Sequence, residues 1–358
     1  MQFVDWRLAA ATGTRLVPPG PRIGLGDAVA TVESLKRLAG QADEHVAAVT
    51  GLEPAAGSAT TVVVDRPDWI RANVSSFAEL VDPLITALMD KRGESPNRLI
   101  AAVGSRASGV EVGVLLSYLA TRVLGQFELL GPARTEGDAP GRLTLVAPNI
   151  VATERMLGVD PHDFRLWVCL HEVTHRVQFA TAPWLHGHVR DLLQEFLFAS
   201  DLDAAALLGR LRQALSGVGD TIRGRGETSL IELIQTPEQR QILNRLTGLM
   251  SLLEGHADVV MDAVGPSIIP SVADIRTKFT RRRRDARPLE RALRRLLGVE
   301  MKLKQYAEGA AFVRAVVAEV GMSGLNTVWA GPHQLPSLEE IRDPDRWLAR
   351  VAPPAVSA

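Results

Sequence analysis

The sequence predicts a mainly α fold, α+β in detail, in which helices dominate and a small edge-strand sheet lies beside one of them. Three observations carry this expectation. Most of the 358 residues, 46% of them hydrophobic, fall in stretches with apolar positions at helical spacing. Only two short segments, 60 to 64 and 143 to 150, are β-branched or alternating enough to read as strands. The second of these runs almost directly into the best-defined helix of the chain.

From the N-terminus, Val4, Trp6 and Leu8 offer apolar side chains for packing, and Pro18-Pro19-Gly20-Pro21 marks a loop. Helical patterns follow at 26 to 39 and 41 to 51. Thr60-Thr61-Val62-Val63-Val64 reads either as a short strand or as the lead into a helix that starts after Arg66-Pro67-Asp68. Helices are expected at 70 to 91 and 97 to 124. Gly104, Gly109 and Gly113 in the latter fit close helix packing better than a phosphate loop, since no Gly-Lys-Ser/Thr follows. Residues 131 to 142, rich in glycine, proline and charge, form the clearest linker and suggest a boundary between an N-terminal helical lobe, 1 to 140, and a second lobe, 141 to 358, unless the two are one continuous domain. Leu143 to Ile150 alternates like a strand, and Pro148 would place it at a sheet edge. Such an edge either accepts an extended peptide by strand addition or simply caps the core.

The next helix is expected over about Pro161 to Phe179, with Asp160 as N-cap, Pro161 at the first position, Asp163 in the first turn, and Leu170, Val173 and Val177 on its buried back. It contains His171-Glu172-Val173-Thr174-His175. Four residues apart, the two histidines share a face, and Glu172 sits about 100° round from His171. One Zn²⁺ can take both imidazoles while the carboxylate stays beside the metal's water. Buried histidines and a glutamate are costly unless something satisfies them, and a metal does so.

Composition narrows the classes. A formal net charge of −1 gives no basic field for nucleic acid or anionic lipid. Cys169 stands alone, which excludes an intramolecular disulfide and a cysteine-based zinc site, and its spacing from His171 makes it a small core residue. Met1 to Arg7 lacks the start of a secretory signal, and the apolar run Val110 to Leu124 is short and carries Glu111 and Arg122, so a cytoplasmic protein without a membrane span is expected. Arg281 to Arg284 reads as a solvated helix face or loop. His186 and His188 read as a surface turn after Pro183, and His333 has no assigned role.

A catalytic zinc needs a third protein ligand and an open position. Leu249 to Val264, stopped by Gly265-Pro266, reads as a helix on which Glu254 and Asp258 share a face. Glu254 is the preferred ligand, with Asp258 as the carboxylate that accepts the free ring N–H of one ligand histidine. His256 lies about 200° from Glu254 on a continuous helix, so both face one metal only if the helix breaks at Gly255. His256 is otherwise a buried histidine, an oxyanion donor or the true ligand. Tyr306 is a second oxyanion candidate, or simply a residue of an amphipathic helix.

His-Glu-x-x-His followed by Glu-x-x-x-Asp resembles the gluzincin branch of the zincin metallopeptidases. The stretches His171 to Phe179, Leu253 to Asp258 and Arg122 to Phe127 more closely resemble an actinobacterial family of zincin-like proteins associated with deazaflavin-coenzyme biosynthesis, over most of the chain. One departure is the gap of 79 positions between His175 and Glu254. The resemblance implies a zincin-like site in a largely helical fold but no particular substrate. Two function classes follow: a zinc-dependent metallopeptidase or amide hydrolase acting on a peptide or protein with Glu172 as general base, or a noncatalytic zinc-binding relative that acts as a partner or regulator in a cofactor-related pathway.

Overall fold

The computed structural model describes residues 3–52, 60–92, 98–128, 141–199, 237–284 and 299–351. They fall into two compact units, one built from Met1–Ala48, Leu52–Ala180 and Val264–Ile275, the other from Val49–Gly51, Thr181–Ala263 and Arg276–Ala358. Helices dominate both. No helix among the described residues is long and apolar enough to cross a membrane.

The first unit runs through α1 (Trp6–Leu16), α2 (Leu25–Thr50), β1 (Thr61–Val64), α3 (Arg66–Arg92), α4 (Arg98–Leu119), β2 (Gly125–Glu128), β3 (Arg142–Val146), α5 (Ala147–Leu157) and α6 (Pro161–Thr181). Helices α1 and α4 approach at Gly113, where a Cβ would stand 2.6 Å from the Ala9 carbonyl oxygen, and Gly109 lies as close to the Asp5 carbonyl oxygen; close packing explains these two glycines but not Gly104, where an added Cβ would meet nothing within 4 Å. Val4, Trp6, Ala9, Trp69, Ile70 and Leu116 form the core of this region together with Val146 from the sheet. At about 1.5–3 kcal/mol per buried large apolar side chain, that cluster anchors the sheet to the helices.

Two expectations need correction here. The helix expected over 97 to 124 stops at Leu119, and the chain turns into β2, a strand that the periodicity did not indicate. The strand expected over 143 to 150 ends at Val146, and it is central rather than marginal: the order is β1-β3-β2, with β1 parallel and β2 antiparallel to β3. Pro148 does not mark an edge because it lies beyond the paired residues, in the first turn of α5, where a missing N–H costs nothing. Among the described residues, the edges belong to β1 and β2. Of the linker at 131 to 142, residues 131–140 lie outside the described residues, while β2 before it and β3 after it pair within one sheet.

Buried polar side chains hold β2 in place. Asn149 of α5 donates to the Ala120 and Val123 carbonyls (2.7 and 2.6 Å), fixing the turn before β2, and Arg66 Nε donates in turn to Asn149 Oδ1 (2.7 Å). Gln126 accepts from Trp69 Nε1 (3.0 Å) and donates to Asn73 Oδ1 (3.1 Å). Unsatisfied, each of these groups would cost about 1–3 kcal/mol, so the network specifies where the strand sits.

The second unit contains α7 (Trp184–Phe198), α8 (Pro237–Val264), α9 (Val272–Arg284), which begins in the first unit, α10 (Val299–Leu325), two 3₁₀ turns (Asn326–Ala330 and Pro332–Gln334), α11 (Leu338–Arg342) and α12 (Pro344–Val351). The turn expected around His186 and His188 is instead the start of α7. Pro183 precedes the helix, Gly187 is tolerated inside it, His186 is buried and His188 half-buried. Helix α8 stops as expected, with Gly265 at φ 71°. Helices α8 and α10 touch backbone to backbone, because a Cβ on Gly255 would stand 2.5 Å from the Ala310 nitrogen and one on Gly309 would strike Ser251. Gly255 is therefore a crossing point, and α8 runs through it unbroken.

Candidate metal centre

Helix α6 carries the two histidines and the glutamate, and it is fixed from both ends. Asp160 Oδ1 accepts from the Asp163 N–H (2.9 Å), the expected N-cap. Asp163 accepts from the backbone N–H (2.9 Å) and hydroxyl (2.7 Å) of Ser271. Burial works to raise the Asp163 pKa, but these two hydrogen bonds and His162 outweigh it and hold the carboxyl below its ordinary value. Arg165 grips Glu154 of α5 with two hydrogen bonds (2.9 and 2.7 Å). On the back of the helix Leu170 and Val173 are fully buried, as is Cys169, whose thiol is pushed up by burial and then by the charge of Glu172. Arg176, one turn beyond Glu172, donates to Thr61 Oγ1 (2.9 Å) and to Asp43.

The other face holds His171 and His175, both half-buried. Their rings meet edge to face, with Nε2 3.3 Å from Nε2. Gln178 Oε1 accepts from His175 Nδ1–H (2.9 Å), and in the neutral ring this tautomer leaves Nε2 as the lone-pair nitrogen facing its neighbour. Two ligand nitrogens on a tetrahedral Zn²⁺, each about 2.0–2.1 Å away, are about 3.3–3.4 Å apart. The pair therefore fits zinc, and Gln178, fully buried, is placed to set the tautomer of His175. Gln178 had no role in the sequence reading, although three residues after His175 it shares that residue's face.

Glu172 is 8% exposed and lies against β2: a Cβ on Gly125 would stand 2.9 Å from Glu172 Oε1. Gly125 was part of the family resemblance but carried no role of its own. In the same unit Asp160, His162 and Asp163 also bring ligand atoms within 4.8 Å, but Asp160 caps α6 and Asp163 binds Ser271, so this group has a structural explanation.

In the second unit Glu254 and Asp258 sit one turn apart on α8, both half-buried. Asp258 pairs with Arg276 (3.2 Å), which also reaches Asp262 (2.8 Å). Burial raises the Asp262 pKa more than its arginines lower it. His256 is fully buried and packs edge-on against Trp329, ring centroids 5.5 Å apart, within its own unit. Tyr306 is on α10, with its side chain outside the described residues.

The chain matches the family model described as zincin-like metallopeptidase over residues 4–348. A crystal structure from Chloroflexus aurantiacus, described as that of a candidate hydrolase with a novel fold, is similar at 32% identity and a TM-score of 0.69, covering 97% of this chain and 98% of that one. No curated protein matches. A match over nearly the whole length, on a helix that sets out the His-Glu-x-x-His face, means that this chain belongs to the zincin-like metallopeptidase family.

Proposed function

We propose that the protein is a zinc-dependent peptidase or related amide hydrolase, with His171, His175 and Glu254 as metal ligands and Glu172 as general base. The observation that carries this reading is the 3.3 Å approach of the two Nε2 atoms, with the His175 tautomer set by Gln178. The choice of Glu254 is supported by its residue type, its place in Glu-x-x-x-Asp, and its half-buried side chain. Asp258 stands as the candidate carboxylate for the ring N–H of one ligand histidine.

Zinc bound there supplies a Lewis acid and lowers the pKa of its water towards about 7. Glu172 accepts the proton of the attacking water and passes it to the leaving amine. Burial shields the carboxylate from bulk solvent and strengthens its interactions with the reacting groups. The peptide runs along β2, the edge strand beside Glu172, and pairs with its backbone by strand addition. His256 and Tyr306 stand as the candidates for the oxyanion donor.

The test is a diverse library of quenched fluorescent peptides. Wild type cleaves at least one, and Glu172→Gln abolishes cleavage while zinc stays bound. Equal cleavage by both proteins would overturn the role of Glu172. A zinc-replete wild type that cleaves nothing would favour the other reading, a noncatalytic partner or regulator in a cofactor-related pathway. What speaks against that reading is Glu172 itself, a buried carboxylate beside the histidine pair that a purely structural zinc does not need.

A further inference from the structure

Gly125 opens β2 at the point where the strand meets the metal helix. Leu124, just before it, accepts from the Val146 N–H (2.8 Å), and the alternation of antiparallel pairing then turns the N–H and C=O of Gly125 away from β3. A Cβ at this position would stand 2.6 Å from Glu172 Cγ, 2.7 Å from Cδ and 2.9 Å from Oε1. All three nearest atoms belong to one side chain. The backbone of Gly125 does not itself demand glycine, since Gly125 is not among the positive-φ glycines. What demands glycine is the side chain across from it.

Neither partner has room to retreat. Strand β2 is tied to α3 through Gln126, and its Phe127 stacks on Phe179 of α6 with ring centroids 5.4 Å apart. Helix α6 is held at its start by Asp163 with Ser271 and by Arg165 with Glu154. With strand and helix both fixed, a methyl group at position 125 is accommodated by moving the Glu172 carboxylate.

We propose that Gly125 is a positioning residue for hydrolysis: its bare backbone is the stop against which the Glu172 side chain rests, and it sets the reach of the carboxylate by admitting no side chain. The proposal rests on the reading of Glu172 as general base. It assigns to glycine a steric task that no hydrogen bond or charge reveals.

The test is Gly125→Ala in the full chain, measured three ways. Zinc content stays stoichiometric, because neither histidine is touched. On the library peptide cleaved fastest by wild type, kcat falls about 100-fold with KM little changed, as a misplacement of about 1 Å at a catalytic group predicts. Thermal unfolding needs no substrate: Gly125→Ala lowers Tm by a few degrees when Glu172 is present and does not lower it in a Glu172→Ala background, where the three obstructing atoms are gone. A merely structural glycine would give the same Tm loss in both backgrounds, and that result overturns the proposal. Full activity of zinc-replete Gly125→Ala beside an inactive Glu172→Gln overturns it too, and leaves the base intact. Full activity of Glu172→Gln overturns the base and the proposal together.

Discussion

Replacing Gln178 by Met tests the metal centre without touching any residue assigned as a ligand. Methionine keeps the unbranched shape and apolar stem of glutamine, so the fully buried site stays filled while His175 loses the acceptor 2.9 Å from Nδ1. Two costs follow. Loss of this hydrogen bond from the half-buried ring costs folding stability, up to about 1–3 kcal/mol. The imidazole also loses the partner that selects its Nε2-ligating tautomer, and outer-shell losses of this kind weaken metal binding about 10–100-fold, or about 1.4–2.7 kcal/mol. Zinc affinity measured by competition with a chromophoric chelator therefore falls about 10–100-fold in Gln178→Met. In Gln178→Glu it stays near wild type, because a carboxylate accepts the same hydrogen bond more strongly and the cation offsets its buried charge. An affinity in Gln178→Met within about threefold of wild type, well short of the expected range, would refute the argument that this hydrogen bond prepares His175 for metal.

Glu254→Ala, the loss of the proposed third ligand, lowers zinc affinity by more than the outer-shell range of about 10–100-fold, whereas His256→Ala leaves it near wild type and lowers stability through the lost packing on Trp329. The same chelator competition decides between them, and the reverse pattern would make His256 the ligand. Gly255→Ala forces the backbones of α8 and α10 apart, since an added Cβ stands 2.5 Å from the Ala310 nitrogen. An overpacking penalty of about 1–3 kcal/mol or more follows, visible as a lower urea midpoint. Acid weakens the fold through α7, where burial first and the neighbouring Arg190 second hold the His186 pKa below its ordinary value. A histidine whose folded pKa is depressed contributes stability that is complete above the unfolded value of about 6.5 and is lost as pH falls below it. Tm therefore declines on acidification below about pH 6.5, and the decline is shallower in His186→Phe.

The metal helix was legible because every signal for it is local. Asp160, Pro161 and Asp163 mark its start within four positions, and a four-residue spacing is enough to put His171 and His175 on one face. Strand β2 was not legible, since Gly-Gln-Phe-Glu has a single strong strand former and the contacts that keep it extended come from Trp69, Asn73 and Asn149, all distant in sequence. Pro148 misled for a related reason: a proline after an alternating run can belong to an edge strand or to the first turn of a helix, and only the pairing of β3 with both β1 and β2 decides. Gly255 was weighed as a break in α8. Its actual role needs Gly309, 54 positions later in the sequence, to be seen.

Local and distant signals also divide the chemistry of the site. Residue types that bind or react, histidine and glutamate, announce themselves in the sequence because few other side chains can replace them. Residues that aim those groups do so by what they lack or by a single shared atom: Gly125 contributes no side chain, and Gln178 contributes one oxygen. Yet the aim governs the outcome. A histidine in the wrong tautomer offers the metal an N–H instead of a lone pair, and a carboxylate displaced by about 1 Å forfeits about 100-fold in rate. A His-Glu-x-x-His string alone is thus a weak predictor of hydrolysis. Joined to a buried acceptor on the second histidine and a bare strand against the glutamate, it describes the arrangement on which the proposed hydrolysis rests.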